Sequence, residues 1–243
     1  MLLKRCQNCK KRGCYMCERI SQAFDYDEYL ETLRIKRHET FDLPEPSVNL
    51  TIGSKPLVIH HLQASSPVFT RWYWGYALSN TYDGKVNRDV TLDTILKDTS
   101  SQWMGSLKSG RMIIPADGWY ECVGNPPFEQ PWYVRPWDRK PIFFAALSGW
   151  KSDVAPPDST ENTGFAIVTD GSLKGVVDDN GRRPIVLTHE DALEWINPQI
   201  TTDEAKELLE DSRPEFDFQW YRVTRKVLDA RYQEEDSNIP ILD

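Results

Sequence analysis

The stretch RMIIPADGWYECV (111–123) decides how the rest of the chain is read. It joins an apolar run to an alternating one through Pro-Ala-Asp-Gly, a turn signal. Side chains on a strand alternate between faces, so Trp119 and Glu121 share one face and Tyr120 and Cys122 the other. A carboxylate held beside an indole can be pushed towards neutrality, the state a general acid needs. The competing reading is an edge-strand Glu facing solvent.

Working outward, PLVIHHL (56–62), FTRWYWGYAL (69–78), PWYVRP, PIFFAALSGW, GFAIVTD, RPIVLT and FQWYRVT all have strand composition. Helical spacing is confined to a few short segments. DYDEYLETLRIK (25–36) starts behind a capping Asp, DTSSQWMGSLKSG (98–110) ends at Gly110, and HEDALEWI and TDEAKELLED follow late in the chain. Ser79 to Arg88 reads as a loop, and NPPFEQP (125–131) and SDVAPPDSTENTG (152–164) read as hairpin loops. Many strands with few helices between them predict an α+β fold, a curled, mostly antiparallel sheet or barrel with peripheral short helices. One domain is expected over 16–243, with 1–15 as an appendage.

At 243 residues, 40% hydrophobic and 27% charged, the chain has the composition of a soluble globular protein with a proper core. No apolar run approaches a membrane span. A cytoplasmic monomer is expected, with no membrane partner. The net charge of −8 argues against non-specific coating of nucleic acid but leaves room for a local basic groove. Of the histidines, His60 and His61 are adjacent on a strand and point to opposite faces, so packing or surface roles are expected of them.

Four of the five cysteines fall at Cys6, Cys9, Cys14 and Cys17, which makes a disulfide framework an unfavoured reading. Two explanations stay open. In the first, C-x2-C-x4-C-x2-C supplies four thiolates to zinc, although the knuckles are tightly spaced and little apolar surrounds them. In the second, translation starts at Met16, because Lys10-Lys11-Arg12-Gly13 can be encoded by a purine-rich run that imitates a ribosome-binding site. The second is favoured, and with it no cofactor is expected. Cys17 then becomes a chain terminus once Met16 is removed.

MCERISQAF (16–24), YWGYAL, VNRD, IPADGWYEC, PIFFAAL, FAIVT and DDNGRRPIVLTHEDALEW occur in the order that resembles the SOS-response-associated peptidase (SRAP) family. The resemblance spans nearly everything after Met16. It implies a sensor of abasic sites in single-stranded DNA that exposes its N-terminal cysteine by autocatalytic Met removal. The α-amine, with a pKa near about 7.7–8, condenses with the ring-opened aldehyde. The thiol then closes a thiazolidine, a DNA–protein cross-link. Position by position, the resemblance implies Cys17 as nucleophile, Asn87 as holder of the terminus and opened sugar, and Glu121 as proton handler. Arg19 and Arg182 match phosphate-gripping residues, with Arg88 standing in for a family Arg that is displaced by one here. Trp74, with Trp72 and Tyr76, is either a stacking surface for bases or core.

Asn180 occupies the place of the family histidine. It can orient but cannot transfer a proton, so reversal of the cross-link is brought into question. Two other functions compete: a non-covalent single-strand DNA-binding relative with a zinc knuckle, and an interaction module that keeps only the fold.

Overall fold

The computed structural model describes residues 19–35, 45–62, 66–77, 86–97, 102–124, 127–149, 164–171 and 182–242. Cys17, Asn180 and the four-cysteine run lie outside them.

Strand β1 (Arg19–Gln22) leads into helix α1 (Tyr26–Leu33). Asp25 starts this helix, and its own backbone N–H donates to Glu28 Oε2 at 3.1 Å, a reciprocal cap that satisfies a donor otherwise left open at a helix start. Arg34 closes the helix in the left-handed region at φ 53°. Next come β2 (Ser47–Thr51), β3 (Leu57–His60), β4 (Val68–Arg71), β5 (Tyr76–Ala77), β6 (Val86–Asn87) and β7 (Asp89–Thr91). Helices α2 (Leu92–Lys97) and α3 (Gln102–Ser109) precede β8 (Arg111–Ala116), β9 (Gly118–Val123), β10 (Gln130–Pro136), β11 (Ile142–Ser148) and β12 (Phe165–Gly171). After β13 (Arg182–Pro184) and β14 (Val186–Leu187) come α4 (His189–Trp195), α5 (Thr202–Glu210), a 3-10 turn at Glu215–Asp217 and β15 (Phe218–Arg222).

The strands form a five-stranded sheet, β15-β10-β9-β1-β2, and an eight-stranded sheet with β13-β12-β11-β8-β3-β4 as its path, β14 and β7 lying off it. Among the described residues the named strands pair antiparallel except for β7 on β12, and one isolated parallel bridge joins Trp74 to Phe165. The fold is therefore the expected α+β one with mostly antiparallel sheets, and among the described residues no barrel closes. Two departures from the sequence reading concern local pairing. Val86–Asn87, placed in a loop from the sequence, is a two-residue strand on Tyr76–Ala77. The segments β2 and β7 carry too little apolar alternation to announce themselves.

The opening stretch does something its turn signal did not reveal. Pro115 and Ala116 end β8 in the eight-stranded sheet, and one residue later Gly118 starts β9 in the other. The chain changes sheets at Asp117. A Cβ on Gly118 would collide with Val134 O and the Tyr133 ring, so only glycine lets the start of β9 lie this close to β10. Asp117 holds the corner: it accepts from Ser21 Oγ (2.7 Å), from the N–H groups of Ala23 and Phe24 (2.5 and 3.1 Å), and from Tyr29 Oη (2.7 Å). The corner thereby fixes β1 against the start of β9, where Ile20 faces Trp119 and Ser21 faces Gly118.

Burial sorts into layers. Between the sheets lie Val58, Trp72, Trp74, Met112, Ile114, Trp119, Phe144, Phe165 and Phe218. On the far side of the eight-stranded sheet, Ile59, Ile113, Phe143 and Leu147 pack against helical Leu30, Leu33, Leu107 and Trp195. Strands buried on both faces explain the near-continuous apolar runs of β8 and β11; each fully buried aliphatic or Phe side chain contributes roughly 1.5–3 kcal/mol. Arg111 is buried among them as a staple. It donates to the carbonyls of Leu107 (2.5 Å), Trp195 (2.6 Å) and Asn197 (2.7 Å), closing the carbonyl ends of α3 and α4. Cys122 is buried and disulfide-bonded.

His60 is only 2% exposed, and burial, with a smaller effect of His61, lowers its pKa from the usual 6.5 to about 4. A proton therefore binds the unfolded chain in preference. His60 adds nothing to the pH dependence above about 6.5, and stability is lost as pH falls from there towards 4, by about 3 kcal/mol. Urea unfolding at pH 7 and pH 4.5 is expected to show this drop, and His60→Leu is expected to remove most of it. Equal slopes for the two proteins would show that His60 is not the group responsible.

Candidate DNA-lesion site

Glu121 lies in the middle of the five-stranded sheet on β9, opposite Trp132 of β10. It is 2% exposed, so the solvent-facing edge reading is wrong: β9 is flanked by β10 and β1. Trp119 Nε1–H donates to Glu121 Oε1 at 2.8 Å. The i, i+2 spacing on one strand face makes this bond, as alternation required. A buried carboxylate costs free energy unless it is hydrogen-bonded, and this one is aimed by an indole donor. Trp119, Val134, Arg183, Glu215, Phe218 and Trp220 complete the walls of a recess around Glu121.

A second cluster is assembled by β12. Parallel pairing places Asp89 beside Ile167, and antiparallel pairing places Arg182 beside Gly171. Arg182 Nη1 reaches Asp89 Oδ2 at 3.3 Å, and Thr169 Oγ1 donates to the same oxygen at 3.2 Å. The Arg182 side chain remains 49% exposed. A half-exposed pair of this kind is worth about 0–1 kcal/mol, so its guanidinium can be given up to a phosphate at little cost. Asn87 and Arg88, both half-buried, immediately precede Asp89. Arg183, which lines the recess, follows Arg182 directly on β13, and the two side chains point to opposite faces of the strand.

Two sequence expectations are corrected. Trp74 is 0% exposed and offers no face to a base. Its ring stacks on Phe165 at 6.2 Å, and its Nε1–H donates to Arg88 O at 3.2 Å. Trp72 and Tyr76 are likewise buried. Trp74 thus supports the Asn87–Asp89 segment from the core. Arg19, expected at the phosphates, instead donates to Asn49 Oδ1 (3.0 Å) and to Leu228 O (2.7 Å). Burial lowers its pKa, with Tyr120 and Asp229 partly restoring it. Asn49 Nδ2 in turn donates to the carbonyls of Val227, Asp229 and Tyr232. Arg19 therefore ties the start of β1 to the C-terminal segment.

Sequence reasoning singled out Arg182 but missed Arg183, Glu215 and Trp220. The Arg-Arg doublet was a usable signal for the first. Nothing local marks the others, which reach the recess only because β15 pairs with β10 from 82 to 90 residues away. Among the described residues no group of three His, Cys, Asp or Glu is placed to hold a metal, and no helix is long and apolar enough to cross a membrane.

A two-sheet α+β domain, with a buried indole-bound carboxylate on a central strand and an Arg-Arg edge beside it, defines the class. The chain belongs to the SRAP family, SOS response associated peptidase, whose model matches residues 16–230. It is 33% identical over 227 residues to the abasic site processing protein YedK of Escherichia coli, covering 90% of this chain and 96% of that protein. It is 26% identical over 221 residues to the abasic site processing protein YoqW of Bacillus subtilis, covering 87% and 94%. Among solved structures, a phage-related protein from Bordetella bronchiseptica is 33% identical with a TM-score of 0.74, over 93% of this chain and 100% of that one. A protein from Bacteroides thetaiotaomicron, 18% identical, shares the fold at a TM-score of 0.73 over the same shares.

Proposed function

We propose that this chain processes abasic sites in single-stranded DNA by cross-linking itself to them through Cys17. The observation that carries the reading is Glu121: buried, held by Trp119, and on the strand that pairs with β1, which starts two residues after Cys17. The family match beginning at Met16 and the likeness to two bacterial abasic site processing proteins support it.

In this reading, liberation of the Cys17 amine leaves a 1,2-aminothiol at the terminus. The amine attacks the lesion's aldehyde carbon, water leaves, and an imine forms. The thiol then adds across the C=N bond, sulfur to carbon and proton to nitrogen, which closes the five-membered ring. Only an N-terminal cysteine presents both groups to one carbon. Holding the aldehyde beside them makes the condensation effectively intramolecular. Glu121 moves the protons at the carbinolamine and imine stages. Asn87 steadies the terminus and opened sugar, while Arg88 and Arg182 supply cationic contacts for the flanking phosphates. Asn180 brings no transferable proton to the ring, so the finished adduct is expected to be long-lived.

The experiment is expression from the native gene, intact mass, and incubation with a single-stranded oligonucleotide carrying one abasic site. The reaction is run with a reductant, which keeps the cysteine thiols free. The expected results are a chain beginning at Cys17 and a protein–DNA band that survives denaturant. A chain that retains residues before Cys17, binds zinc and forms no adduct would overturn the reading in favour of a non-covalent DNA-binding relative.

A further inference from the structure

Two large aromatic side chains stand in solvent at the end of the β10–β15 ladder. Trp137 is 65% exposed and Phe216 79%. The backbone segments that carry them meet at the end of the β10–β15 ladder, where Pro136 faces Phe218 and the Trp137 N–H donates to Asp217 O at 3.0 Å. The 3-10 turn that carries Phe216 also carries Glu215, and the strand it opens carries Phe218 and Trp220; all three line the recess. Phe216 thus lies between two chain neighbours that line the recess.

Cations follow in the turn after Trp137. Arg139 and Lys140 are exposed, and Arg139 takes φ 57°, a left-handed conformation that is costly for a side-chain-bearing residue. Asp217 is ion-paired with Arg213 at 3.1 Å, whereas Asp138, which accepts the Lys140 backbone N–H at 3.2 Å, keeps its charge and offsets one of the two cations. Neither Arg139 nor Lys140 forms an ion pair with a described residue. In a chain of net charge −8, this leaves positive charge beside unused ring faces.

Exposed rings flanked by cations suit single-stranded nucleic acid, whose bases are free to stack while its phosphates need neutralising. A duplex hides its base faces. An abasic nucleotide has no base of its own, so affinity for the lesion must come from its neighbours and from the backbone. We propose that Trp137 and Phe216 form a stacking platform for the bases of single-stranded DNA flanking the lesion, with Arg139 and Lys140 on the adjoining phosphates. This rests on the abasic-site reading for what enters the Glu121 recess.

Fluorescence anisotropy with a labelled single strand, with and without one abasic site, tests it. Loss of base–aromatic stacking is worth about 1–3 kcal/mol per base, or roughly 5- to 150-fold in affinity. Trp137→Ala and Phe216→Ala are each expected to weaken binding within that range, with unchanged thermal unfolding because both rings are exposed. Arg139→Ala and Lys140→Ala are each expected to lower the salt dependence by about 0.7 in log–log slope. Phe128→Ala, 82% exposed in the β9–β10 connection at the other end of β10, is the matched control and is expected to bind like the parent. Parental affinity in the Trp137→Ala/Phe216→Ala double variant, or an equal loss at Phe128→Ala, overturns the platform. If the parent forms no adduct yet the double variant still loses affinity for single strands, the covalent reading falls and the platform stands. If the parent forms the adduct and the double variant binds unchanged, the platform alone falls.

Discussion

Cys17→Ser is expected to reduce the denaturant-resistant DNA adduct to background while leaving an imine that borohydride can trap. The substitution keeps the terminal α-amine, which is titratable near about 7.7–8 and partly neutral at working pH. It removes the group that closes the ring. A thiol with a pKa near about 8.5 supplies a few per cent of thiolate at pH 7, whereas a serine hydroxyl supplies essentially none. The imine therefore hydrolyses instead of being captured. Denaturing gels of the reaction, with and without borohydride, make the measurement. A stable adduct in Cys17→Ser without borohydride would show that sulfur is not part of the linkage. Absence of an adduct even with borohydride would place the reactive amine elsewhere.

The next largest effect belongs to Glu121→Gln. The carboxylate is buried, and the Trp119 indole donates to it at 2.8 Å. A glutamine carbonyl oxygen can accept that same bond in nearly the same volume, so the fold is expected to persist, as thermal unfolding would verify. What is lost is the capacity to take and return a proton. General acid–base groups contribute about 10²–10⁴-fold, equivalent to about 3–5 kcal/mol of barrier. Adduct formation under single-turnover conditions is expected to slow within that range. Release of the Cys17 amine is expected to slow with it, because one carboxylate serves both steps in the proposed scheme. A parental rate in Glu121→Gln would assign proton transfer to another group. Slowing of only one of the two steps would separate roles that the proposal joins.

The contrast between Glu121 and Arg19 shows where sequence reading stops. Alternation along GWYEC put Trp119 and Glu121 on one face, and their hydrogen bond bears this out. The same rule could not say whether that face met solvent or a second sheet. For Arg19 the resemblance suggested phosphate, yet β2, a strand with little sequence signature, brings Asn49 to its guanidinium. Trp74 was legible as an aromatic strand residue with two open readings, and Phe165 stacking over its ring decides between them.

What the sequence by itself determined is local. It marked the Asp25 and Gly110 helix boundaries, the apolar runs of β8 and β11, the shared face of Trp119 and Glu121, and the ordered motifs that resemble one family. Those features depend on residues within a few positions of one another, where backbone period and capping chemistry act directly. Only the tertiary structure decided that Ala116 and Gly118 belong to different sheets, and that Glu121 is central rather than at an edge. It also joined Arg183 and Glu215 to one recess and put Trp137 and Phe216 at the same end of the β10–β15 ladder. A strand makes its hydrogen bonds with partners far along the chain, so its neighbours, and with them the burial of each face, become defined only when the sheets assemble.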